Sequence, residues 1–170
     1  MRRLTLLIAG TACAAAFHVQ PANAEDTVVT FTVTAGPLSV TVPASASIGA
    51  GEPGTTISGS LGTITVTDSR GANPAEWTVT VSSTDFTAAG VPAIPASAAT
   101  YTAGAPTSTE GDGEFSPGAP GPLGTTPMVA FTHTGGTGGN SASWEPALSV
   151  NVPNTATAVT YTATVTHLVA

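Results

Sequence analysis

The residues able to do chemistry are few and lie far apart. Asp68 and Arg70 stand two apart in Asp68-Ser69-Arg70-Gly71, and Arg70 is the one cation after residue 3. A lone guanidinium in an acidic chain finds a carboxylate, and Asp68 and Asp85 are the nearest candidates. Arg70 then either offers its fork of donors to a carboxylate or sugar hydroxyl of a polymer, or ties its turn to a neighbouring strand. The turn-forming residues around it favour the tie. Trp77 and Trp144 could each present a face on which a sugar ring stacks. Trp77 is in phase with Val79 and Val81, which favours the core. Trp144 follows a glycine turn and precedes Pro146, a setting open to either exposure or burial. Arg70, Asp68, Trp77 and Trp144 are the candidate ligand-binding residues.

Other constellations fall short of a site. His133 and His167 are far apart and in phase with apolar neighbours, so they read as sheet histidines rather than metal ligands. Glu110, Asp112 and Glu114 alternate in a glycine-rich stretch, but they lack the spacing and downstream glutamate of a calcium loop. They read as solvated loop charge. No Gly-x-Ser-x-Gly, no His-Glu-x-x-His and no lysine occurs, and the single cysteine is Cys13. The ten carboxylates show no spacing that identifies an acid–base pair. The expectation is a protein that is not an enzyme and needs no cofactor and no metal.

The elements that would carry these residues are β-strands. Leu61–Val81 reads as two strands around a polar turn, a central hairpin: Ile64 and Val66 alternate with threonines, as do Trp77, Val79 and Val81. The same period-two pattern marks Thr27–Thr34 and the proline-bracketed Pro37–Pro43, which read as a second hairpin across Ala35-Gly36. It returns at Thr56–Ser58, at Met128–Thr134, in Ser141–Val152 with an interruption at Pro146, and along Val159–Val169. Thr87–Pro127 is a long Gly/Pro/Ala-rich loop, tethered by short strands at Ala99–Ala103 and Glu114–Ser116. No amphipathic helix of useful length is present. The fold class is all-β, an antiparallel β-sandwich of about eight strands.

The N-terminal residues direct export. Arg2-Arg3 precedes an apolar run, Leu4–Ala16, and Ala22-Asn23-Ala24 places small residues for cleavage before Glu25. Residues 1–24 are read as a removed signal peptide and 25–170 as a single domain. The apolar run is too short to serve as a permanent anchor. Cys13 lacks the leucine three positions upstream that marks a lipoprotein cysteine. The exported chain holds Arg70 against ten carboxylates, a formal charge of −9. Such a chain repels nucleic acid and anionic lipid. It also has no cysteine for disulfides, so β packing alone must stabilise it.

Two stretches resemble the WxL domain of Gram-positive surface proteins. Ile64-Thr-Val66-Thr-Asp68-Ser-Arg70-Gly71 followed by Trp77-Thr-Val79 is similar to its first half. Ser143-Trp144-Glu-Pro146-Ala-Leu148-Ser-Val150, leading to Tyr161-Thr-Ala-Thr-Val165-Thr-His167-Leu168-Val169, is similar to its second. The chain as a whole resembles small WxL-like exported proteins of high-GC Gram-positive bacteria. It departs twice: Val79 stands where the family has leucine, and His167 where it has a second tryptophan. The resemblance implies a secreted or extracellular, non-enzymatic surface protein, held non-covalently on cell-wall peptidoglycan or in complexes with surface proteins. Two other roles fit the residues: a subunit that self-associates edge to edge, with Thr27–Thr34 and Val159–Val169 as edges, or a secreted glycan-binding module using Trp144.

Overall fold

A computed structural model describes residues 25–170, so the signal peptide expected at 1–24 and Cys13 lie outside the described residues. Contacts divide the chain after Thr32, and Val33–Ala170 forms one compact unit. That unit is all-β: twelve strands and one short 3-10 turn at Ala96–Ala98. Three antiparallel four-stranded sheets build the sandwich. The first contains β1 (Leu38–Thr41), β3 (Ile64–Asp68), β10 (Asn140–Trp144) and β6 (Pro106–Glu110), in that spatial order. The second contains β2 (Thr56–Ser60), β11 (Ala147–Asn151), β5 (Ala99–Thr102) and β8 (Gly121–Pro122). The third contains β12 (Val165–Val169), β4 (Trp77–Ser83), β9 (Met128–Thr134) and β7 (Glu114–Pro117).

Alternation decides which side of each strand is buried. In β4, Trp77, Val79, Val81 and Ser83 point inward while Thr78, Thr80 and Ser82 stand half exposed. β3 buries Ile64, Val66 and Asp68 in the same way. Inward residues of all three sheets merge in one core: Val66 and Trp144 from the first sheet, Tyr101, Leu148 and Val150 from the second, Val79 and Phe131 from the third. Phe131 stacks on Trp144 with ring centroids 4.5 Å apart and 20° between planes. Burial of aromatic side chains of this size stabilises by roughly 2–3 kcal/mol each. Residues 25–170 contain no cysteine, so this packing carries their fold.

The pairing differs from the sequence expectation. β3 and β4 are not a hairpin: β3 pairs with β1 and β10, and β4 with β12 and β9. The polar stretch between them carries the chain from one sheet to another. Pro146 acts the same way, ending β10 in the first sheet before β11 begins in the second. Among the described residues no ladder joins two strands that are consecutive in sequence. The Thr87–Pro127 stretch is not an unstructured loop but supplies β5, β6, β7 and β8, in all three sheets. Thr27–Thr34 has no strand assignment, so the expected N-terminal hairpin is absent. Periodicity sets which side chains face together, whereas a ladder needs a second row of backbone donors and acceptors. The last strand starts at Val165 rather than Val159: its ladder with β4 begins at the Val165–Ser83 pair, and upstream only the isolated Thr87–Thr162 bridge continues the pairing.

Candidate functional site

Asp68 is the last residue of β3 and points into the protein, 1% exposed. A buried carboxylate needs donors, and Arg70 supplies three. Its backbone N–H and Nε–H donate to Oδ1 at 2.9 Å each, and Nη2–H donates to Oδ2 at 2.8 Å. Nη2 also donates to the Glu76 carbonyl at 2.7 Å, which fixes the segment between β3 and β4. The guanidinium beside Asp68 holds its carboxyl below the usual carboxylate range, despite burial. Arg70 therefore acts as the internal tie. Asp85, the other carboxylate considered, accepts the Ala96 N–H at 2.8 Å instead.

Trp77 starts β4 beside this tie and is 2% exposed. Its indole N–H donates to Asn140 Oδ1 at 2.7 Å. Asn140 is the β10 residue paired with Asp68 in the β3–β10 register, so one rung of the ladder brings both supports together. His133 pairs with Trp77 across β4 and β9, and its ring stacks on Phe115 at 4.2 Å. Its Nε2–H donates to the Asp112 carbonyl at 2.9 Å, leaving Nδ1 without a partner. Asp112 in turn accepts the Thr137 N–H and hydroxyl, both at 2.8 Å, which pins the acidic loop to the glycine turn and lowers its pKa. The described residues hold no group of three or more potential metal ligands.

Trp144 lies elsewhere, at the end of β10, and is fully buried. Its indole N–H points at Tyr101 Oη, 3.4 Å away, and Tyr101 Oη is 3.1 Å from His167 Nε2. Burial pushes the Tyr101 phenol up to about 12 and the His167 imidazole down to about 4, so both are neutral at pH 7. The four candidates thus split: Asp68, Arg70 and Trp77 form one cluster, and Trp144 belongs to a separate polar chain in the core. Neither indole presents a stacking face to solvent, which removes the basis for a glycan module built on Trp144. Asn140 and Tyr101, which support the two tryptophans, stood out in no motif. Asn140 ends a glycine turn and Tyr101 sits in the short strand expected at Ala99–Ala103, and only strand register joins them to their partners.

His167 lines a groove of about 740 Å³. Its walls include the stretch Val42–Gly51 after β1, Ile57 of β2, Val150 of β11 and Val165 of β12. None of its lining residues is charged. The opposite character appears on the outer face of the first sheet. There Ser39, Thr67, Ser141 and Glu110 form one cross-strand row, and Thr41, Thr65, Ser143 and Ser108 form the next. Thr65 Oγ1 and Ser143 Oγ lie 2.9 Å apart. Seven of these eight side chains are hydroxyls, so the face carries polar groups with one charge. No protein-family profile, curated protein or solved structure matches the chain.

Proposed function

We propose that this chain is an exported, non-enzymatic surface protein that associates non-covalently with the cell wall. The polymer it takes is a hydroxyl-rich glycan, and the glycan strands of peptidoglycan are the one implied by the WxL resemblance. The observation that carries this reading is the pair of hydroxyl rows across β1, β3, β10 and β6. Strands lie about 4.8 Å apart, so four of them offer a ladder of donors and acceptors roughly 14 Å wide. Such a face binds a polar polymer through many weak hydrogen bonds, with water retained between. It does so without cations, of which the exported chain has one, already paired with Asp68.

The test is co-sedimentation of protein 25–170 with purified, protein-free cell walls. The comparison is a row variant carrying Thr67→Val and Ser141→Ala. Saturable binding that falls at least several-fold in the folded row variant supports the reading. Binding that is absent at every protein concentration, or unchanged in the row variant, overturns it.

A further inference from the structure

We propose that the uncharged groove is an acceptor for residues Thr27–Thr34 of a second copy of this chain. This goes beyond the wall-binding reading and does not depend on it. Three observations meet at the groove. Its borders are end strands of three different sheets: β1 leads into it, β2 lines it through Ile57, and β12 through Val165 and His167. Each of these strands has a ladder partner on one side only. An end strand presents a row of backbone N–H and C=O groups that another strand can complete.

The chain also contains a strand-like segment to donate. Val29, Phe31 and Val33 alternate with threonines, and Phe31 is 87% exposed. Inserted as a strand, the segment sends these three side chains to one face, matching walls made by Ile57, Leu61, Val150 and Val165. Thr30, Thr32 and Thr34 are left on the other face. Neither partner brings a charge: the lining has none, and neither does Thr27–Thr34. Two copies, each at −9 in exported form, thus meet there through uncharged surfaces, with Glu52 at the margin of the groove and Glu25 and Asp26 just before the donor segment as the nearest carboxylates in sequence. The connection from donor to acceptor body is short. Gly36 N–H donates to Ser69 O at 2.8 Å, and Ser69 N–H donates to Pro37 O at 2.9 Å, so the chain is fixed three residues after Val33. A short, anchored hinge beside a segment with strand periodicity and no ladder partner favours exchange between copies.

Because insertion is apolar and the copies repel, added salt should strengthen the assembly, opposite to an interface held by ion pairs. The experiment mixes two preparations of protein 25–170, one with Thr32→Cys and one with Ser47→Cys, and adds a bismaleimide. The exported sequence has no other cysteine. A 32–47 cross-link between copies is expected in the mixture, rising with sodium chloride and suppressed by excess peptide of residues 27–34. Phe31→Glu in the donor should lower its yield by roughly tenfold or more. Absence of the cross-link overturns the proposal. A double variant that cross-links only within one chain, with a yield independent of dilution, overturns it as well.

Discussion

Arg70 grips both oxygens of Asp68, Nε on Oδ1 at 2.9 Å and Nη2 on Oδ2 at 2.8 Å, across a single intervening residue. The carboxylate is buried and the guanidinium partly exposed, so loss of the cation leaves the acid stranded. Arg70→Ala should cost roughly 2–4 kcal/mol at pH 7 in urea unfolding. Arg70→Lys, which cannot make the paired contact, should fall in between. The Asp68 pKa is lowered by folding, so its contribution is full above about pH 4 and fades as pH falls through the folded value. The gap between wild type and Arg70→Ala should therefore narrow in acid. A loss below about 0.5 kcal/mol would mean that the pair behaves like an ordinary surface bridge.

The stack of Trp144 on Phe131 makes a sharp contrast between two substitutions. Trp144→Ala should destabilise by about 3–5 kcal/mol, through lost contacts and the cavity left behind. Trp144→Phe keeps the stack and should cost clearly less. Neither should alter wall co-sedimentation while the protein remains folded. A folded Trp144→Phe that no longer binds walls would contradict the buried placement of the indole.

Acid should weaken the protein in two stages. Folding lowers the His167 pKa to about 4 from 6.5, so the unfolded chain binds more protons between those values. Its contribution is complete above pH 6.5 and declines as pH falls to about 4, by roughly 2 kcal/mol after allowance for partial exposure. Asp68 adds its own loss below that. Tyr101, raised to about 12, does the reverse: its contribution holds below pH 10 and is lost between 10 and 12. Thermal melts across pH check both limbs, and His167→Gln should remove the stage between 6.5 and 4.

Gly136 faces the His133 ring so closely that an added Cβ would collide with Cε1 and Nε2. Gly136→Ala must move the imidazole off Phe115 or shift the Asp112 carbonyl. A loss of about 1–3 kcal/mol is expected, with a shift in the His133 ring resonances by NMR. Gly135→Ala meets no atom within 4 Å. It should cost less, through its positive φ alone. Equal losses at the two positions would discount the close approach to His133.

Much of the strand inventory was legible, because alternation of β-branched residues with threonine is a local signal. β1, β5, β7 and β9 lie where their patterns put them, and Pro146 breaks the chain as a missing donor should. Partners were not legible. The phase of Ile64 and Val66 says that they face a core, but not that β10, more than seventy residues later, lies beside them. Trp144 is buried because Phe131 and Tyr101 meet it from two other sheets, and no local residue carries that information. The site divided the same way. Asp68 with Arg70 was visible as a tie because both ends are two residues apart, whereas the Trp77–Asn140 bond spans 63 positions.

The absence of a ladder between consecutive strands sets a timetable for the molecule. Local hairpins are the usual first structures of an all-β chain, and among the described residues the one local pairing is the single bridge between Phe86 and Ile94. Its third sheet remains incomplete until Val165–Val169 reaches β4, on the far side of the sequence. Loop closure over such distances is slow, and the chain should refold over milliseconds to seconds. A polypeptide that stays open until its last strand arrives is also one that can be threaded through a narrow pore before it gains a shape.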